Sequence, residues 1–223
     1  MPNNVSGEDY DEDITIELAQ YTEPALSSAL MIRRRLDSTN KKNFNQDSFN
    51  KKFPGQRNLD IGCGNCVEKG WIRLDCNERY KPDLLMDAHN ILLGNNCIDL
   101  ARMHYVLGYV IEPSKVLSEV WRILKPNSLL YLVNGAPASD IQLMPGVRHS
   151  FPKLFWEDVN KNNPRLYIPE DSKGKWELED ERYDWSQTAN KLASKLKLTR
   201  ELVVTTFRNV VSKQYITLRK ISK

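Results

Sequence analysis

The sequence predicts an α/β protein built on a doubly wound, mostly parallel sheet. Short apolar stretches at 58–61, 71–74 and 84–86 each run into an acid or a Gly-x-Gly turn. The continuous apolar run Leu129-Leu130-Tyr131-Leu132-Val133 reads as a strand buried on both faces. Between them, Pro113 to Leu124 carries helical spacing at Val116, Val120 and Ile123, so that strands and helices alternate.

The elements follow in chain order. Residues 1–13 are acidic and polar and read as a disordered tip. Thr22-Glu23-Pro24 has the form of a helix start, and the helix runs to Leu36. Arg33, Arg34 and Arg35 suit the negative end of that helix. Residues 38–56, rich in Asn, Lys and Ser, read as a linker. Asn58 to Ile61 is then a first strand, Trp71 to Leu74 a second, closed by Asp75, and Leu84 to Met86 a third, closed by Asp87. Ile98 to Val106 is a fourth strand, and the helix from Pro113 stops before Lys125-Pro126. Ser186 to Leu198 reads as a helix. Glu201 to Arg208 and Gln214 to Lys220 are β-branched, alternating runs that suggest a closing antiparallel hairpin. The resulting division is an N-terminal segment, 1–54, able to act as a cap, and a main domain, 55–223.

Length and charge restrict the function. The chain has 223 residues and a formal net charge of +3, far from the clustered basic excess of a typical nucleic-acid binder. No apolar run approaches the roughly 20 residues of a membrane span, and residues 1–13 do not resemble a secretory signal, so a cytoplasmic protein is expected. Cys63, Cys66, Cys76 and Cys97 crowd one short stretch instead of spreading as a disulfide framework would. Cys63-x-x-Cys66 lacks a second ligand pair at zinc-like spacing, so no metal is expected.

The chemistry gathers at the strand ends. Asp60-x-Gly62-x-Gly64 puts small residues where backbone must approach a ligand closely, at the carboxyl end of the first strand. Asp75 offers a carboxylate to a ribose diol, and Asp87 an acceptor to an adenine amino group. Three acids at three successive strand ends describe a nucleoside pocket.

These residues also carry a family resemblance. Leu59-Asp60-Ile61-Gly62-Cys63-Gly64 resembles the first motif of class I S-adenosylmethionine-dependent methyltransferases. Ile98 to Leu107 resembles their fourth-strand motif, and Leu117 to Pro126 the helix and turn that follow. The resemblance implies a Rossmann-like fold and S-adenosyl-L-methionine as cofactor, with S-adenosylhomocysteine as product. By it, Asp60, Gly62, Cys63 and Gly64 meet the methionine part, Asp75 the ribose, and Asp87 and Ala88 the adenine, with His89 nearby. Met103 and His104 lie along the cofactor toward the methyl group. The chain departs from the pattern at Cys66, where a third glycine is expected, and at Asn127-Ser128, which replaces Gly-Gly. The stretch from Gly64 to Asp75 is too short for a full crossover helix. This abbreviated form resembles methyltransferases associated with glycan synthesis.

His104 is the leading candidate for a general base toward an acceptor hydroxyl, because imidazole is neutral and available near pH 7; His149 and Asp140 are the alternatives. The plainer reading of each is packing or loop polarity. Residues 136–185 form a long aromatic insertion with ten acids and seven bases, suited to a sugar face more than to a phosphate backbone. A satellite core would use the same aromatics. The expected acceptor is a sugar or glycan hydroxyl; another small molecule, a protein or an RNA is the alternative, and a non-catalytic scaffold a further one.

Overall fold

The motif-bearing half of the chain builds a parallel sheet from the inside outwards. The computed structural model describes residues 46–137, 146–185, 187–197, 199 and 211–222. The acidic tip, the helix expected from Pro24, Asp140 and the strand expected at 201–208 lie outside the described residues.

The elements are α1 (Gln46–Lys52), β1 (Asn58–Ile61), β2 (Ile72–Asp75), β3 (Leu84–Leu85), β4 (Ile98–His104) and α2 (Pro113–Ile123). They continue with β5 (Leu124–Gly135), α3 (Lys153–Glu157), β6 (Gly174–Trp185), α4 (Gln187–Leu196) and β7 (Val211–Ser222). Seven strands form one sheet in the order β3-β2-β1-β4-β5-β7-β6. β1 to β5 are mutually parallel, and β7 runs antiparallel to both β5 and β6. The doubly wound Rossmann-like sheet and its antiparallel closing pair are therefore present.

The strand partner in that closing pair differs from expectation. β7 contains the expected Gln214 to Lys220, but its outer neighbour is β6, with α4 between them in sequence. Both edges of β7 are thus taken, by β5 and by β6. β6 was concealed inside the aromatic insertion because Gly174 to Trp185 is rich in charge. Pairing holds it in the sheet, and Trp176 is its fully buried anchor.

A second correction concerns the linker. Residues 46–52 of that polar stretch are helical, and Phe49, fully buried, joins Phe53 in the main core. Two aromatics at i and i+4 share one helix face, and they suffice to dock a helix of seven residues. Gln46 Oε1 accepts from the Gly94 amide at 2.8 Å, which fixes α1 to the loop before β4.

The α2 helix follows its sequence pattern, burying Val116, Leu117, Val120, Trp121 and Ile123 against the sheet. Arg122 ties it to the preceding loop through the carbonyls of Ile91 and Leu93 (2.6 and 2.7 Å), and Glu119 accepts from the Ile91 amide. Asn127 holds φ = 64° in the turn that replaces Gly-Gly, a left-handed conformation asparagine tolerates. No helix among the described residues is long and apolar enough to cross a membrane.

Candidate active site

β1 and β2 lie side by side, yet the chain between them forms no helix, only turns. Arg73 does the work a helix would have done. Its guanidinium donates to the carbonyls of Gly64 (3.0 Å), Cys66 (2.8 Å), Tyr80 (2.8 Å) and Lys81 (3.0 Å), stitching the glycine loop to the turn after β2. Gly62 sits at φ = 70°, and a Cβ there would meet Val106 Cγ2 at 2.3 Å, so only glycine fits.

Asp75 ends β2 and is buried. Its two oxygens accept from the amides of Gly64 (3.0 Å) and Asn77 (2.8 Å). Burial raises its pKa, and the backbone N–H groups offset this only in part. A carboxylate offers about four acceptor positions, so this one keeps capacity for a ligand hydroxyl. Cys63 is a buried thiol pushed up to about 12 by desolvation and then by the Asp75 charge, and it stays protonated as a small packing residue.

Asp60, expected at the methionine part of the cofactor, is also one half of a buried ion pair. Its carboxylate accepts from Arg102 Nη2 at 2.8 Å, both groups being buried. Arg102 reaches from β4, also pairs with the exposed Glu68, and stacks 4.1 Å above the Trp71 ring. Its Nε is buried without a protein partner. Desolvation works against this charge, but its hydrogen bonds to Asp60 and Glu68 overcome it and raise the pKa. Arg102 and Arg73 are the residues that sequence reasoning missed. The available signal was an arginine between Ala101 and Met103 of a central strand, which requires a carboxylate partner when buried.

Asp87 and His89 form a strut. Asp87 Oδ1 accepts from the His89 amide (2.9 Å) and from Nδ1–H (2.6 Å). His89 Nε2 then accepts from the amide of Glu112, the residue that caps α2. Ala88 packs between them, partly buried against the core.

Met103 and His104 point to opposite faces of β4 by strand alternation. Met103 is fully buried in the hydrophobic core and does not line an open surface. His104 is exposed at the strand end, and its side chain makes no hydrogen bond among the described residues. His149 is placed elsewhere, on a recess at the carboxyl ends of β4 and β5, where Nε2–H donates to the Ile111 carbonyl at 3.3 Å. The recess holds about 260 Å³ of empty space, counting the part open to solvent.

Three strand-end acids, a glycine loop and a histidine thus share one edge of the sheet, and the residues fit a nucleoside-bearing cofactor. Residues 59–132 match a family model described as a methyltransferase domain. The sequence matches none of the curated proteins. Among solved structures, a SAM-dependent methyltransferase from Archaeoglobus fulgidus is similar at 18% identity and a TM-score of 0.50, over 86% of this chain and 94% of its own. A SAM-dependent methyltransferase from Methanosarcina mazei aligns at 17% identity and TM-score 0.50, over 78% and 98%. The chain has the Rossmann-like methyltransferase fold. The [4+2]-cyclase SpnF is similar too, at 16% identity and TM-score 0.50, over 80% and 81%. The methyltransferase fold thus positions the site described above, but it does not name the acceptor.

Proposed function

We propose that this protein is an S-adenosylmethionine-dependent methyltransferase that methylates a hydroxyl of an uncharged sugar or glycan. The observation that carries the cofactor reading is the Asp75 carboxylate, buried at the end of β2 and bonded to the Gly64 amide of the glycine loop. Asp75 takes the ribose hydroxyls, the loop backbone of Gly62 to Gly64 takes the methionine part, and Asp87 with Ala88 walls the adenine. When bound, S-adenosylmethionine supplies a methyl group already activated on a positively charged sulfur. The chain's own share is to align the acceptor and remove its proton. His104, neutral at pH 7 and exposed beside the loop, takes that proton; His149 is the alternative base, reached through its remaining ring nitrogen.

Calorimetric titration with S-adenosylhomocysteine tests the reading. Micromolar binding is expected, and Asp75→Ala should weaken it at least about tenfold, the equivalent of one lost charged hydrogen bond. No binding at millimolar ligand overturns it. A second reading, a non-catalytic scaffold of this fold, draws on one observation: Arg102 already occupies the Asp60 carboxylate. That reading expects no cofactor binding in the same titration.

A further inference from the structure

Asn134 is the penultimate residue of β5 and is 3% exposed, yet neither atom of its carboxamide has a protein hydrogen-bond partner. A buried, unpaired amide costs about 1–3 kcal/mol in protein mutational terms. The amide borders the recess between β4 and β5, together with Tyr105, Tyr109, His149 and Phe151. A second orphan lies beside it. Gln214 on β7 is the direct cross-strand partner of Asn134, fully buried, and its Oε1 is also without a partner. Directly opposed residues of an antiparallel pair share a sheet face. Gln214 Nε2 is already used, donating to Glu181 (3.0 Å) and to the Tyr183 hydroxyl (3.1 Å). The seam is therefore held from behind and unsatisfied in front.

The chemistry of the recess selects its occupant. Among the described residues that line it there is no lysine, arginine, aspartate or glutamate, so these residues suit an uncharged polar group. Its walls are largely aromatic, and its closed part has room for about one water-sized group. A carboxamide presents one acceptor and one donor side by side, whereas a hydroxyl both donates and accepts. Two adjacent hydroxyls match both functions at once, and the sugar ring carrying them would lie against the aromatic rim. Val133, the residue before Asn134, pairs with His104 across β4 and β5, and the recess itself carries His149, the alternative base.

We propose that Asn134 is the acceptor-recognition residue and that it takes a vicinal diol of an uncharged sugar. This rests on the methyl-transfer reading and names the residue, and the pair of hydroxyls, by which its acceptor is held. The probe is methyl α-L-rhamnopyranoside, observed by saturation-transfer NMR on the wild-type protein saturated with S-adenosylhomocysteine. The glycoside should bind, and its 2,3-di-O-methyl derivative should bind about tenfold more weakly. Asn134→Leu should weaken glycoside binding at least about tenfold, while the S-adenosylhomocysteine affinity stays within about twofold. If the leucine variant does not fold, Asn134→Ala, which adds no volume, carries the same comparison. Absence of glycoside binding to the wild type, equal binding by the variant, or a crystal soaked with the glycoside that shows only water on Asn134 overturns the proposal. S-adenosylhomocysteine binding without glycoside binding removes this inference alone; loss of both removes the methyl-transfer reading with it.

Discussion

His104 illustrates how one residue's surroundings set its chemistry. Met103, its neighbour in the strand, is fully buried, while His104 itself reaches solvent. Desolvation by the protein packed around the ring, and then the charge of Arg102, hold its pKa below the usual 6.5. Lowering a histidine pKa keeps the imidazole neutral, the form that accepts a proton. Turnover should therefore rise with pH along an acid limb whose midpoint lies below 6.5, then stay level through neutrality. A pH–rate profile on the acceptor found by screening sugars, RNA and peptides checks this. His104→Ala should abolish that limb and lower kcat by about 10²–10⁴, with S-adenosylhomocysteine affinity unchanged in calorimetry. Full turnover in the variant would transfer the base role to another residue.

At the scale of elements, two cations, a half-buried Arg73 and a buried Lys220, hold strands and loops together. Arg73 secures the glycine loop through four carbonyls in a geometry that only a planar, forked group can reach. Arg73→Lys should weaken S-adenosylhomocysteine binding about tenfold, since an ammonium cannot span these acceptors; unchanged affinity in calorimetry would refute this role. Lys220 of β7 ties three elements at the opposite edge. Its ammonium donates to Asn96 Oδ1 (2.6 Å) and the Leu124 carbonyl (2.7 Å) and lies 4.0 Å from the Trp121 ring centre. Burial, and then repulsion from Arg122, push its pKa down to about 8 from 10.5. Between these two values the unfolded chain binds more protons than the folded one, so folding stability increases with pH across that window. Thermal melts of the wild type and Lys220→Met should show their Tm difference moving in favour of the wild type from pH 8 to pH 10.5. Such features explain what sequence reading missed. β1, β2, β4 and α2 declare themselves through apolar runs and helical spacing. α1 rests on Phe49 and Phe53 in a polar stretch, and β6 on pairing to β7, neither of which has a local signature.

For the molecule as a whole, ligand binding and fold stability are one equilibrium. A ligand that binds only the folded chain stabilises it by about 2.7 kcal/mol at a hundred times its Kd. For a domain of this size that is roughly 5–10 °C in Tm. S-adenosylhomocysteine should produce a shift of this order in a thermal melt, and none would contradict the cofactor site. The parallel sheet and the line of strand-end acids are legible because each acid follows its own strand in sequence. The Asp60–Arg102 pair was not, because 42 positions separate its members and only the parallel register of β1 beside β4 brings them together. That register lies at the centre of the sheet, and its two margins differ from it. β3 has only two residues, and β6, at the far margin, is rich in charged residues and broken by register shifts between Leu178 and Asp180 and between Tyr183 and Trp185. A strand from another copy would find too few backbone groups on one side and a charged, irregular strand on the other. Among the described strands, the two at the margins are thus the least suited to take up a strand from another copy.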